Sequence, residues 1–392
     1  MLPAEEAAAL ARCHQVAFLD IDTDFSPKED IELWKSLVRS AKEFGDKKLD
    51  RLDPFWRQAA SARALDRLLN DHPIFADLTY DEATLRYLRQ EAANLLRHRH
   101  SSMNGQAEQI TDPDYRQTLD MGLSQLATII NDLSYASDDR SATQQHLRAG
   151  QRLLLKLEGL TLLGRSADRP RQDDPAVVDA RNKVAELTGR VPDALVLDLT
   201  DEGLEHPDRW KRFFSTASGG PASYTVALRM ITINSRSDKR MMLGHEMIHS
   251  TQQFPKPSEL SASRRRAELA LLEGTTEALT VLLYSGRLPE KTTGYASYVA
   301  MTLALTAKLD MDPKQALLEL NQVDNDQRLD WLRERIPDLP EDLVDRINAF
   351  EPDTSSADLQ PMIDAASELL EDELWWQADE QTEELATEPC IE

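Results

Sequence analysis

Gly244-His245-Glu246-Met247-Ile248-His249 is a His-Glu-x-x-His run set among uncharged neighbours: Met242, Leu243, Gly244, Met247, Ile248 and Ser250. No proline occurs from Asp238 to Phe254, so one helix can run through the motif. The uncharged surroundings predict that this helix is buried. Ser237 or Asp238 is expected to cap its start. Residues four apart share a helical face. His245 and His249 can therefore offer two imidazole nitrogens to a single ion, and Glu246 can hold a water bound to it.

Two histidines do not complete such a site, because a catalytic zinc usually has three protein ligands and a water. His249 is the last histidine of the sequence. A ligand further along must be a carboxylate or Cys390. The longer pattern His-Glu-x-x-His-x-x-Gly-x-x-His fails, because Gln252 occupies the glycine position and Pro255 the last histidine position. A helical stretch from about 262 to 284 carries Leu271-Leu272-Glu273-Gly274-Thr275-Thr276-Glu277. Glu273 and Glu277 share a face, so Glu273 can ligate a metal while Glu277 accepts a ring N–H from one histidine. Gly274 costs the helix about 1 kcal/mol, which makes sense where another backbone or the metal approaches closely. Before the motif, Ser223–Ile233 is rich in β-branched and aromatic residues and predicts one strand.

His245-Glu246-x-x-His249 followed by Glu273-x-x-x-Glu277 resembles the gluzincin metallopeptidases, the thermolysin-like class, with the short single-domain minigluzincins as the nearest comparison. The resemblance covers roughly residues 174–298. It implies one zinc per chain held by His245, His249 and Glu273, with Glu246 as general base and Glu277 as the orienting carboxylate. Glu277 stands where many members have Asp. The implied activity is hydrolysis of peptide bonds in a protein or peptide substrate. The class often stabilises the oxyanion with a downstream histidine and a tyrosine. No such histidine exists here, which leaves Tyr284, Tyr295, Tyr298, Arg287 and Lys291, with Tyr295 and Tyr298 preferred. The class also uses the strand before the metal helix as an edge that pairs with extended substrate. Tyr224, Val226, Leu228, Met230 and Ile231 would then shape the subsites.

The formal charge of −24 argues against nucleic acid and anionic membrane surfaces as partners. The N-terminus has no basic segment leading into an apolar core, and no run of 18 apolar residues occurs. Cys13 and Cys390 lie at opposite ends, unlike a disulfide framework. A cytoplasmic location is expected, with signal-free export left open. Cys390 reads as a free tail thiol, against the alternative of a cap on an open metal position.

The expected fold is mainly α with a small α+β zincin-like metallopeptidase core and a helical N-terminal domain. The N-terminal helical domain, residues 1–164, shows apolar residues at helical spacing in Ile31–Phe44, Phe55–Leu69, Ala83–Leu96, Tyr115–Leu133 and Gln144–Leu163. His98-Arg99-His100 reads as part of a basic surface patch, and Asp20–Asp24 as an acidic turn that lacks the glycine and glutamate of a calcium loop. Residues 165–175 read as a linker, 176–350 as the metallopeptidase domain, and 351–392 as an acidic C-terminal helix and tail. The helical domain is the expected surface for a regulatory partner. Two alternatives stand beside a general endopeptidase. One is a regulatory protease with a dedicated protein substrate. The other is a non-enzymatic helical scaffold or adaptor in which the motif is accidental or degenerate.

Overall fold

The computed structural model describes residues 61–62, 65–66, 68–69, 82–135, 139–166, 169–170, 172–200, 204, 210, 213–214, 221–236, 238–253, 260–291, 294–355 and 357–371. Expectations for Cys13, Asp20–Asp24, Ile31–Phe44, most of Phe55–Leu69, Ser237 and Cys390 lie outside them. The described chain is mainly helical with one small three-stranded sheet. Among the described residues no helix is long and apolar enough to cross a membrane.

The chain divides into two compact units. One comprises Met1–Pro170, Leu197–Gly220 and Ala227–Asn234; the other comprises Arg171–Val196, Pro221–Val226 and Ser235–Glu392. Within the first unit, glycines of the helices receive side chains from the segments 197–220 and 227–234. A Cβ placed on Gly159 would lie 2.6–2.9 Å from side-chain atoms of Phe213 and Phe214, and one on Gly122 would lie 2.3 Å from Leu228 Cδ2. Each glycine is a seat for an apolar side chain from these segments.

In the first unit, α1 (Glu82–Ala107), α2 (Pro113–Tyr135) and α3 (Arg140–Gly164) pack pairwise. Their buried stripes include Leu88, Leu96, Leu119, Leu126, Leu147 and Leu157, each contributing roughly 1.5–3 kcal/mol on burial. α3 is capped at its start by Asp139, which accepts from the N–H groups of Ser141 and Ala142. His98 and Arg99 lie on the outer part of α1, where Arg99 pairs with Glu158.

In the second unit, α4 (Pro175–Thr188) is capped by Asp174 and ended by Gly189 at φ 70°. α5 (Lys239–Thr251) is the helix of the His-Glu-x-x-His run. Asp238 does stand at its N-cap, but at φ 50° and with no side-chain cap hydrogen bond, so its carboxylate does not cap the helix. α6 (Ala262–Ser285) is the central helix of the unit, packed by α5, α7 (Ala296–Ala307), α8 (Pro313–Gln322) and α10 (Leu343–Ala349). Being covered on most sides, it buries Thr275, Thr276 and Thr280 as well as Leu271 and Leu279. Each threonine hydroxyl donates to the carbonyl one turn back, which settles its polarity inside the helix. α9 (Arg328–Arg335) and α11 (Gln360–Glu371) complete the core with Leu329, Leu332, Ala366 and Leu370. α11 is no detached tail: Lys308 Nζ lies 3.0 Å from Glu371, and the N–H of Leu359 donates to Glu290 O at 3.1 Å.

The strands are β1 (Leu195–Asp198), β2 (Ala222–Thr225) and β3 (Met230–Ile233), in the order β1-β3-β2, which leaves β2 at an edge. The single strand expected over 223–233 is thus two strands. Val226–Leu228 form a 3-10 turn, and Arg229 takes φ 43°. That reversal in a non-glycine residue carries no signature in a β-rich sequence. β1 and β3 are wholly buried, whereas β2 is half-exposed.

Candidate metal centre

α5 and α6 together build the site. His245, Glu246 and His249 are buried on α5. The rings of His245 and His249 meet edge to face, with centroids 4.8 Å apart. Their Nε2 atoms are 3.1 Å apart. Glu273 Oε2, from α6, lies 3.2 Å from His245 Nε2 and 3.4 Å from His249 Nε2. The three atoms form a triangle. Each Nδ1 is engaged on the far side of its ring: His245 Nδ1 donates to Glu277 Oε2 at 2.9 Å, and His249 Nδ1 donates to Gln252 Oε1 at 2.8 Å.

This donor set fits a metal ion. With protons on both Nδ1 atoms, both Nε2 atoms carry lone pairs, and they face one another and a carboxylate oxygen. Three acceptors cannot satisfy each other. Either a cation or an added proton must lie among them. Ligands bound tetrahedrally at about 2.0–2.1 Å stand about 3.3 Å from each other, close to the edges of this triangle. The electrostatics show the same demand for positive charge. Burial alone would favour neutral His245, but its hydrogen bonds with Glu273 and Glu277 reverse this and raise its pKa to about 10. Burial would likewise raise Glu273, yet the two imidazoles hold its carboxyl well below the usual range. Among the described residues no other group of three or more His, Cys, Asp or Glu is arranged to hold a metal.

Glu246 projects beside the triangle. Burial pushes its carboxyl up, against the lowering by His249 and His245, and the backbone N–H of Tyr224 donates to it. Tyr224 therefore meets the site through its backbone. Val226 is exposed in the turn that follows β2. Leu228, expected to shape a subsite, is fully buried over Gly122 of α2, and Met230 and Ile231 are fully buried in β3. Their apolar side chains serve the core.

Gly274 explains how the tyrosines arrive. A Cβ there would lie 2.3 Å from both the Tyr298 carbonyl oxygen and Thr302 Oγ1. The missing side chain lets the start of α7 come against α6, as the cost of a mid-helix glycine suggested. Tyr295 then stacks on His245, with centroids 5.4 Å apart and planes at 12°, and Tyr298 lies 6.1 Å from Tyr295. Burial, then the carboxylates of Glu273, Glu246 and Glu277, push the Tyr295 phenol up to about 12. It stays a donor at neutral pH.

The other candidates lie elsewhere. Tyr284 packs on the backbone at Gly244, where a Cβ would lie 2.6 Å from its ring, and the Arg240 guanidinium covers that ring at 4.5 Å. Arg287 is exposed and pairs with Glu290. Lys291 forms an isolated antiparallel bridge with Asp358.

Gln252 is the residue that sequence reasoning missed. It entered only as a departure from the glycine of a longer motif. Its place three residues beyond His249, just past the helix end, was the available signal.

No family model matches the chain, and neither a curated protein nor a solved structure matches it. The buried His245, His249 and Glu273 triad is consistent with a zincin-like motif.

Proposed function

We propose that the protein is a zinc-dependent peptidase, with His245, His249 and Glu273 as metal ligands and Glu246 as general base. The observation that carries this reading is the triangle of two imidazole Nε2 atoms and one carboxylate oxygen, with both Nδ1 protons already committed. Zinc bound there would lower the pKa of its water from ~15.7 towards ~7 and polarise a carbonyl oxygen. Glu246 is buried and adjacent, so it can accept a proton on its carboxylate and return it to a leaving amine. Glu277 holds the His245 ring with Nε2 turned inward. The Tyr295 hydroxyl, protonated at neutral pH and beside His245, supplies a donor for developing negative charge on a substrate oxygen.

The half-exposed edge strand β2 runs beside α5, which supports an extended peptide as the substrate. Because Tyr224 already donates to Glu246, the position nearest the base is tied to the catalytic group. The test is Glu246→Gln. It should keep stoichiometric zinc and lower peptide cleavage by roughly 10²–10⁴-fold. Undiminished cleavage by this variant removes Glu246 as the base.

A further inference from the structure

His249 Nδ1 meets a side-chain amide. An amide can present either its oxygen or its NH₂, and only the oxygen fixes the ring with Nε2 free for a metal. The surrounding hydrogen bonds decide which, and they start from two backbone carbonyls. Thr251 Oγ1 donates to Ile248 O at 2.7 Å, and Thr276 Oγ1 donates to Leu272 O at 2.9 Å. With its one proton spent, each hydroxyl can only accept from its other neighbours.

Asn321 Nδ2 donates to Thr251 Oγ1 at 3.3 Å, so Asn321 Oδ1 must face the other way. There it accepts from Gln252 Nε2 at 2.8 Å. The same Nε2 also donates to Thr276 Oγ1 at 2.8 Å. Both amide protons of Gln252 are thus committed, which turns Oε1 to His249 at 2.8 Å. Every member is buried: Thr251, Gln252, Thr276 and Asn321. In such surroundings an unmade hydrogen bond costs about 1–3 kcal/mol, so the chain of bonds has one favoured sense.

From this geometry we infer that Gln252 is a positioning residue that, held by Asn321 of α8, locks His249 in the Nδ1–H tautomer and aims its Nε2 at the metal. This rests on the zinc-peptidase reading. The two histidines are then held by different means. Glu277, a carboxylate, serves His245. A neutral amide set by a helix sixty-nine residues further along the chain serves His249. The amide adds no charge to a pocket that already holds Glu246, Glu273 and Glu277.

Zinc affinity, measured by competition with a chromophoric chelator, tests the inference. Gln252→Leu should weaken zinc binding by about 10–100-fold, with helicity unchanged by circular dichroism. Gln252→Glu keeps an oxygen for Nδ1–H and should recover most of that loss. Asn321→Asp keeps the acceptor for Gln252 and should bind more tightly than Asn321→Leu. The second readout needs no variant. In the zinc-loaded wild type with ¹⁵N-labelled histidines, long-range ¹H–¹⁵N correlations should show His249 protonated at Nδ1 and metal-bound at Nε2. A folded Gln252→Leu protein that binds zinc as tightly as wild type overturns the inference, as does a His249 Nδ1 without a proton. A wild type that takes up no zinc removes the zinc-peptidase reading, and this inference with it. Tight wild-type binding left unchanged in Gln252→Leu removes this inference alone.

Discussion

His245 and His249 present their Nε2 atoms to each other at 3.1 Å, while the opposite nitrogen of each ring is bound to a separate acceptor. Two imidazoles so arranged repel unless positive charge lies between them. The pocket is therefore built at some cost, which a cation or an added proton would offset.

Tyr295 lies over His245 with its phenol held protonated. Tyr295→Phe keeps the ring and removes only the hydroxyl. If the hydroxyl stabilises the oxyanion, kcat should fall by roughly 10²–10³-fold with little change in zinc affinity. Steady-state kinetics together with metal titration separate the two effects. Tyr298→Phe, one step further from His245, should lose less.

Glu277→Ala removes the acceptor for His245 Nδ1–H, and zinc affinity should drop by about 10–100-fold. Glu277→Asp shortens the arm and should retain part of it. Equilibrium dialysis against zinc measures both.

Gly274→Ala places a methyl group against the Tyr298 carbonyl. Backbone cannot yield as a side chain does, so α6 and α7 must separate. Urea unfolding should show a loss of about 1–3 kcal/mol or more, even though alanine is the better helix former. An unchanged or raised stability would mean that α7 does not approach α6 at this point.

Much of this site was legible in the sequence because helical spacing is local. Four-residue steps place His245 with His249 and Glu273 with Glu277 without knowledge of the tertiary fold. The interrupted apolar pattern at Gly274 marked a close approach, though not that α7 makes it. Gln252 was not legible, since its role depends on the turn after Thr251 and on Asn321, far along the chain. The break at Arg229 was hidden for another reason: its positive φ occurs in a residue type with no preference for it. Phe213 and Phe214 fill a glycine-floored seat on α3, and Leu228 fills one on α2. Such contacts have no sequence period.

Lys156 of α3 offers a test away from the site. Burial lowers its pKa to about 8, with Arg152 adding to the effect. Between pH 8 and the ordinary lysine value near 10.5, the unfolded chain binds the proton and the folded chain does not. Stability should therefore rise with pH across that window. Lys156→Met should be more stable than wild type at pH 7 and show a flatter pH dependence. Urea midpoints at pH 7, 8, 9 and 10 for both proteins give the comparison.

Titration calorimetry of zinc into the purified, chelator-stripped protein tests the metal site most directly. One zinc per chain is expected in the wild type, with a large loss of affinity in both His249→Ala and Glu273→Ala. A wild type that binds no zinc, or binds it equally well without His249 and Glu273, would contradict this expectation.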